Sequence, residues 1–188
     1  MGIGIRKSFF KIYSAIKVTE FGIRKFLFGF ETANQMVSSL DKITLLKVLK
    51  KYGASIGDDC DIECGLTFHN CLDYINLNIS DNVHIGKNCF FDLADEIKID
   101  SNVVVSMNTS FITHINMKKS ELEKIYNSKT DKVIIKKNTY IGANCCLLMG
   151  VELGENCFVA AGAVVTKSFK SDSFIAGVPA VLKRMITK

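Results

Sequence analysis

Between residues 135 and 169, apolar side chains return every six positions: Ile135, Ile141, Leu147, Leu153, Val159 and Val165. The next residue is often small, as at Gly142, Gly154 and Ala160. Four positions along each repeat lies another small or β-branched residue: Thr139, Cys145, Val151, Cys157 and Ala163. Such a period matches neither a helix nor simple strand alternation without turns. It suits an all-β solenoid, a β-helix in which each repeat is one short strand and its turn. One aliphatic side chain per strand then points inward, and the stacked coils share a continuous core.

The period reaches upstream. From Gly53, Ile56-Gly57-Asp58-Asp59-Cys60-Asp61 and Ile62-Glu63 form the first rungs. Residues 66–78 break register and read as a loop or irregular coil. Ile79, Ile85 and Phe91 resume the period; Leu93, Ile99, Val105 and Phe111 then carry it, so the register slips by two around Asp92. A slip bulges the backbone, and bulges often lie beside functional sites. At ~18 residues per three-sided coil, ~100 residues make about five or six coils. Residues 116–132 carry no repeat. They are polar and lysine-rich, with Leu122, Ile125 and Tyr126 as apolar anchors, and a loop of this length in a solenoid is usually functional. After Phe169 the pattern stops, 171–173 reads as a turn, and a basic tail with Lys183 and Arg184 follows. The chain therefore divides into a helical segment 1–52, a β-helix 53–169 and a tail 170–188.

The helical segment carries the charge. Residues 1–52 hold ten Lys or Arg against three acidic residues, whereas the whole chain is only +5. A basic excess confined to one end does not make a nucleic-acid groove. Residues 8–29 read as helical, with Phe9, Ile12, Tyr13 and Ile16, then Phe21, Phe26, Leu27 and Phe28, interleaved by Lys11, Lys17, Arg24 and Lys25. Two readings stand: a cap on the β-helix or a neighbouring subunit, or a basic amphipathic segment resting on an anionic membrane. Asp41 is placed to cap a short helix that ends near Tyr52, with Gly53 at its exit. No apolar run is long enough to span a bilayer, and the first residues lack a signal-peptide pattern. A cytoplasmic protein is expected. Cys60, Cys89, Cys145 and Cys157 each follow a repeat aliphatic by four, which reads as small-residue packing by reduced thiols. Cys60 and Cys64 have no matching second pair at zinc-site spacing.

The hexapeptide pattern, with Phe111-Ile112-Thr113-His114 and Ile175-Ala176-Gly177-Val178-Pro179-Ala180, resembles the hexapeptide-repeat acetyltransferases, especially those that O-acetylate galactosides, maltose and capsular sugars. The resemblance covers about residues 53–185. It implies a left-handed parallel β-helix, a homotrimer with active sites between subunits, acetyl-CoA as co-substrate and a saccharide acceptor. It also implies that the 116–132 loop walls the site. Phe90, Val104 and Leu148 are outward apolar residues that a trimer would bury.

The chemistry needs a base for the acceptor hydroxyl, a donor facing the developing oxyanion, and a way to hold both substrates. Of the three histidines, His69 lies in the irregular stretch and His84 at an outward position, so both read as surface residues. His114 ends a rung and opens into the long loop; the resemblance makes it the general base, its tautomer fixed by a backbone carbonyl. At the bulge the family commonly has an asparagine that contacts the acceptor. Here it is Asp92, which keeps a cationic acceptor, and hence N-acetylation of an amino sugar, open. Tyr140-Ile141-Gly142-Ala143 resembles the family's pantetheine segment, with the Ala143 amide as oxyanion donor. The run from Ala161 through Thr166 to Lys167 resembles the CoA-contacting stretch. Lys167, Lys183 and Arg184 would meet CoA phosphates, with Val181 standing where an arginine is common. A zinc-dependent β-helix anhydrase needs three histidines at coil spacing, which His69, His84 and His114 do not have. A non-catalytic scaffold is the remaining alternative.

Overall fold

A computed structural model describes residues 2–187, with side chains from residue 9 onward. Three helices, α1 (Gly2–Phe28), α2 (Phe30–Asn34) and α3 (Lys42–Lys51), precede a parallel β-helix of about six turns. Its three faces are sheets of five, seven and five strands. The first runs from Ser55–Ile56 to Glu152–Leu153. The second runs from Asp61–Ile62 through Tyr140–Ile141 and Phe158–Val159 to Ser173–Ala176 and Val181–Met185. The third runs from Thr67–His69 through Phe90–Asp92 and Ser110–Phe111 to Val164–Val165. Coils pair in parallel register, so each inward side chain meets its equivalent in the next turn: Ile79 on Ile99, Ile141 on Val159, Leu147 on Val165. These side chains are buried, and each contributes about 1.5–3 kcal/mol. On the third face Phe68, Phe91 and Phe111 stack with ring centroids 5.4 and 5.1 Å apart.

The corners explain why six residues suffice for a strand and a sharp turn. Between the first and second faces, Asp59, Asn82, Asn102, Asn138, Asn156 and Asp172 all adopt left-handed backbone, φ 53–61°. Asn and Asp tolerate this conformation because their short polar side chains bond locally. Here they bond along the column: Asn82 donates to Asn102 (2.8 Å), Asn102 to Asn138 (3.1 Å), Asn138 to Asn156 (3.1 Å) and Asn156 to Asp172 (3.0 Å). Elsewhere coils approach too closely for a side chain. A Cβ at Gly86 would lie 2.5 Å from the Met107 amide nitrogen.

Four expectations change. The break at 66–78 is shorter, because Phe68 stands six residues after Ile62 and completes the first coil on Phe91. The irregular part starts at Asn70, and its Tyr74 is buried. The repeat does not stop at Phe169: that residue bridges to Leu153, and Ile175, six residues on, lies beside Val159 in the next coil. Strand Val181–Met185 then folds back antiparallel on Ser173–Ala176, so the basic segment closes the second face rather than trailing. Leu122, Ile125 and Tyr126 are exposed, not anchored within the chain. The slip at Asp92 is present, with Phe91 and Ile99 both inward and Asp92 and Leu93 buried between them.

The helices close the first coil. Phe21, Phe30, Leu45, Val48 and Leu49 are buried there, and Asn34 stitches the two parts. Its amide donates to the Phe68 carbonyl (2.7 Å) and its Oδ1 accepts from the Tyr74 hydroxyl (2.8 Å). Asp41 caps α3, accepting from the Ile43 and Thr44 amides at 3.0 and 3.1 Å. All seven cysteines are free. Cys60, Cys89, Cys145 and Cys157 donate to carbonyls of the following coil at 3.1–3.3 Å, and burial pushes the Cys89 thiol up to about 11. These are packing thiols.

Asn102→Ala should cost about 1–2 kcal/mol, the penalty for a side chain without local bonding in left-handed backbone, and Asn102→Gly less. Urea denaturation of both variants checks this ordering.

Candidate active site

The slip at Asp92 sets up a cluster of buried polar groups. Because two extra residues follow Phe91, the Asp92 side chain turns beneath the next coil, where it is only 1% exposed. Its carboxylate accepts from the Thr113 amide (2.9 Å) and from Asn70 Nδ2 (2.9 Å). The Thr113 hydroxyl donates to the Asp92 carbonyl at 2.7 Å. His114 Nδ1 lies 2.5 Å from Asp92 Oδ2. Burial alone would push the Asp92 carboxyl up; hydrogen bonds from His114, Asn70 and the Thr113 amide outweigh it and hold the group below the ordinary carboxylate range. An ionised Asp92 accepts only, so Nδ1 carries the proton and donates. In the neutral ring Nε2 then carries the lone pair.

This differs from the expected arrangement twice. The partner that fixes the His114 tautomer is the Asp92 carboxylate, not a backbone carbonyl. Asp92 itself is spent on His114, Thr113 and Asn70, so it does not face an acceptor. The physical cause is the slip, which turns a residue at a solvent-type position into the interior.

Asn70 is a residue the repeat did not reveal. It adopts left-handed backbone, φ 52°, and its Nδ2 lies 3.2 and 3.4 Å from the two ring nitrogens of His114. It also borders a cleft of about 340 Å³ between the helices and the first coil. Glu31, Asn34, Gln35 and Ser38 form one wall, and Thr67, His69, Asn70, Cys71 and Leu72 the other. His69 is exposed on this rim, and His84 sits on the outer second face, 3.0 Å from Asp61. The only sequence signal for Asn70 was its place in a stretch that interrupts the period.

His114–Ile115 pairs antiparallel with Lys129–Thr130, so the long insertion is a hairpin whose stem begins at His114. It leaves the corner between the third and first faces, where Thr166 and Lys167 also lie two coils on. Gly142, Ala143 and Ala161 lie at the corner between the second and third faces instead. There a Cβ on Gly142 would come 2.5 Å from the Ala161 nitrogen, so this ledge is bare backbone. Tyr140 stands on the second face and stacks on Phe158 at 4.8 Å, and Phe158 lies 5.2 Å from Phe174. The Arg184 guanidinium lies over Phe174 at 5.2 Å. Lys167 and Lys183 are exposed. One chain thus brings together His114, Asp92 and Asn70, and separately Tyr140, Gly142, Ala143 and Ala161, on two different corners of a triangle. Among the described residues no cluster has the make-up of a metal site.

Residues 132–167 match a family model described as the hexapeptide repeat of succinyl-transferase. A galactoside O-acetyltransferase of Lactococcus lactis is 29% identical over 147 residues, spanning 75% of this chain and 67% of that protein. The chain carries the hexapeptide repeat and is similar to the acetyltransferases built on it. Its coil is their left-handed parallel β-helix. A galactoside acetyltransferase solved in complex with coenzyme A superposes with a TM-score of 0.65 at 20% identity, covering 93% of this chain and 82% of that one. AntD, an N-acyltransferase from Bacillus cereus solved with dTDP and 3-hydroxybutyryl-CoA, superposes at 0.61 with 24% identity, covering 71% of this chain and 73% of that one.

A depressed Asp92 pKa stabilises the fold when the carboxylate is ionised. That contribution is complete above the unfolded value of about 3.9 and is lost as pH falls through the lower folded value. Denaturation of wild type and Asp92→Asn across acidic pH should therefore show a wild-type advantage at neutral pH that shrinks below about pH 4. A constant difference would remove the ionised Asp92 from the assignment.

Proposed function

We propose that this protein transfers an acetyl group from acetyl-CoA to a hydroxyl of a saccharide, with His114 as general base. The observation that carries the reading is the Asp92–His114 pair, which Asn70 links to the cleft. The carboxylate holds Nδ1–H, and Nε2 is directed by that bond as the ring's basic atom. Acetyl-CoA supplies the acyl group as an activated thioester. His114 accepts the hydroxyl proton as the new ester bond forms and returns it to the departing sulfur. Asp92 stabilises the imidazolium between these transfers. Asn70 positions the carboxylate and borders the acceptor.

The cleft suits a sugar. Glu31, Gln35, Ser38, Thr67 and Asn70 offer donors and acceptors in varied directions, as a ring of hydroxyls requires. With Asp92 buried, the argument for a cationic acceptor loses its residue, and O-acetylation is the simpler reading. The donor lies along the bare ledge of Gly142, Ala143 and Ala161, with Tyr140 beside the pantetheine arm, the Ala143 amide toward the oxyanion, and Lys167, Lys183 and Arg184 toward the phosphates. Ledge and His114 occupy different corners of one chain, so the complete site is formed by two chains. A homotrimer of side-by-side coils achieves this, and the hairpin with its exposed Leu122, Ile125 and Tyr126 reaches the neighbouring subunit. A surface-polysaccharide precursor in the cytoplasm is the setting that this acceptor and donor suit.

Acceptor-dependent release of CoA, screened over galactosides, maltose and nucleotide-linked sugars, tests the activity. His114→Ala should lower kcat by about 10²–10⁴ while acetyl-CoA binding stays near wild type. Near-full activity of this variant on the best acceptor would remove His114 from the mechanism. Sedimentation should give a three-subunit assembly, and a stable monomer at micromolar concentration would sink the shared site. Mixed assemblies of His114→Ala with an inactive Ala143→Pro chain, which lacks the amide donor, should regain activity at the interfaces that combine two intact halves.

A further inference from the structure

One side of α1 faces the fold, with Ser14 and Phe21 buried. The opposite side is apolar and uncovered. Phe9, Ile12, Ile16, Ile23 and Phe26 share this side at spacings of three, four, seven and three, with Thr19 in the long gap and exposures of 69, 60, 59, 54 and 88% for the five. Leu27, also exposed, lies beside the stripe. A contiguous apolar face of this kind marks an interaction surface rather than ordinary solvent-facing helix. The surrounding charge decides what it meets. Residues 1–52 carry ten Lys or Arg and three acidic residues. On a helical projection Lys11 falls on one flank of the stripe and Arg24 on the other.

A second copy of α1 is a poor match. Paired helices with this spacing rely on opposite charges beside the seam. The positions beside it are Ser8, Ala15 and Gly22 on one side and Tyr13, Glu20 and Leu27 on the other, with a single charge among them. Two such basic segments also repel. An anionic lipid surface complements both features: phenylalanine and isoleucine enter the headgroup boundary while flanking cations meet lipid phosphates. The helix is not long and apolar enough to cross a membrane.

We propose that α1 lies in the plane of an anionic bilayer and anchors the protein there through its Phe9–Ile16–Ile23–Phe26 stripe. This inference is independent of the acyl-transfer reading. The chain has no tryptophan, so Phe26→Trp is a clean reporter at the most exposed position. With the full-length protein, vesicles of phosphatidylglycerol mixed into phosphatidylcholine should shift its emission to the blue and pellet the protein at low salt, with release at high salt. Pure phosphatidylcholine vesicles should bind at least ~10-fold more weakly. Ile16→Ser/Ile23→Ser and Lys11→Gln/Arg24→Gln should each weaken binding about tenfold, with circular dichroism and sedimentation unchanged. Unshifted Phe26→Trp emission, or equal binding to both vesicle types, overturns the anchor. So does an Ile16→Ser/Ile23→Ser variant that breaks the assembly while the parent ignores vesicles, which would assign the stripe to a second copy.

Discussion

Every coil depends on the next for its backbone hydrogen bonds and for the far side of its core. A strand of two or three residues has no stability alone. In register, it donates and accepts along the coil axis while its one inward side chain joins a column. Ile56, Ile79, Ile99, Ile135 and Leu153 are such a column, built from five strands that pair only with their neighbours. That dependence makes the corners decisive. A turn in the wrong conformation would shift the strand after it and strip both strands of partners, so asparagine or aspartate occupies the first corner in coil after coil, each from Asn82 onward bonded to the next.

The same dependence makes interruptions informative. A solenoid absorbs extra residues only by pushing them outward or turning them beneath a neighbouring coil. At 70–76 the excess folds against the helices, burying Tyr74 and bringing Asn70 to the cleft. At Asp92 the excess is two residues, and a carboxylate goes inward. After Ile115 it is a whole hairpin. All three interruptions lie at the corner between the third and first faces, which is where His114 gains both its carboxylate and its open side. The rest of the coil supplies the rigidity that a short, charge-assisted contact between Asp92 and His114 requires.

The two halves of the candidate chemistry are separated for the same geometric reason. A triangular coil has three edges, and a residue's edge is fixed by its place in the repeat. His114 and Lys167 share one edge; Gly142, Ala143 and Ala161 share another. No rotamer joins them, so a site that uses both calls for a neighbouring chain. The helical cap, by contrast, acts within its own chain, closing the first coil with Phe21 and Phe30 while Glu31, Gln35 and Ser38 wall the cleft.

The sequence by itself determined the repeating core. The columns of Ile, Leu and Val, the slip at Asp92, the Asp41 cap, the packing role of four cysteines and the exceptional position of His114 were all legible, because each is a local pattern repeated or broken along one chain. Phe68 and Ile175 were not legible as rungs because the irregular stretch after Phe68 and the four-residue step from Val165 to Phe169 hid a register that pairing with Phe91 and Val159 makes plain. Only tertiary structure decided that Asp92 serves His114, since whether a carboxylate faces solvent or a neighbour depends on how two extra residues bend between coils. Only tertiary structure brought Asn70 against the His114 ring across 44 residues, and only it revealed that α1 buries one side and leaves a phenylalanine-rich side bare. Those are contacts between distant segments, and no periodicity along the chain records them.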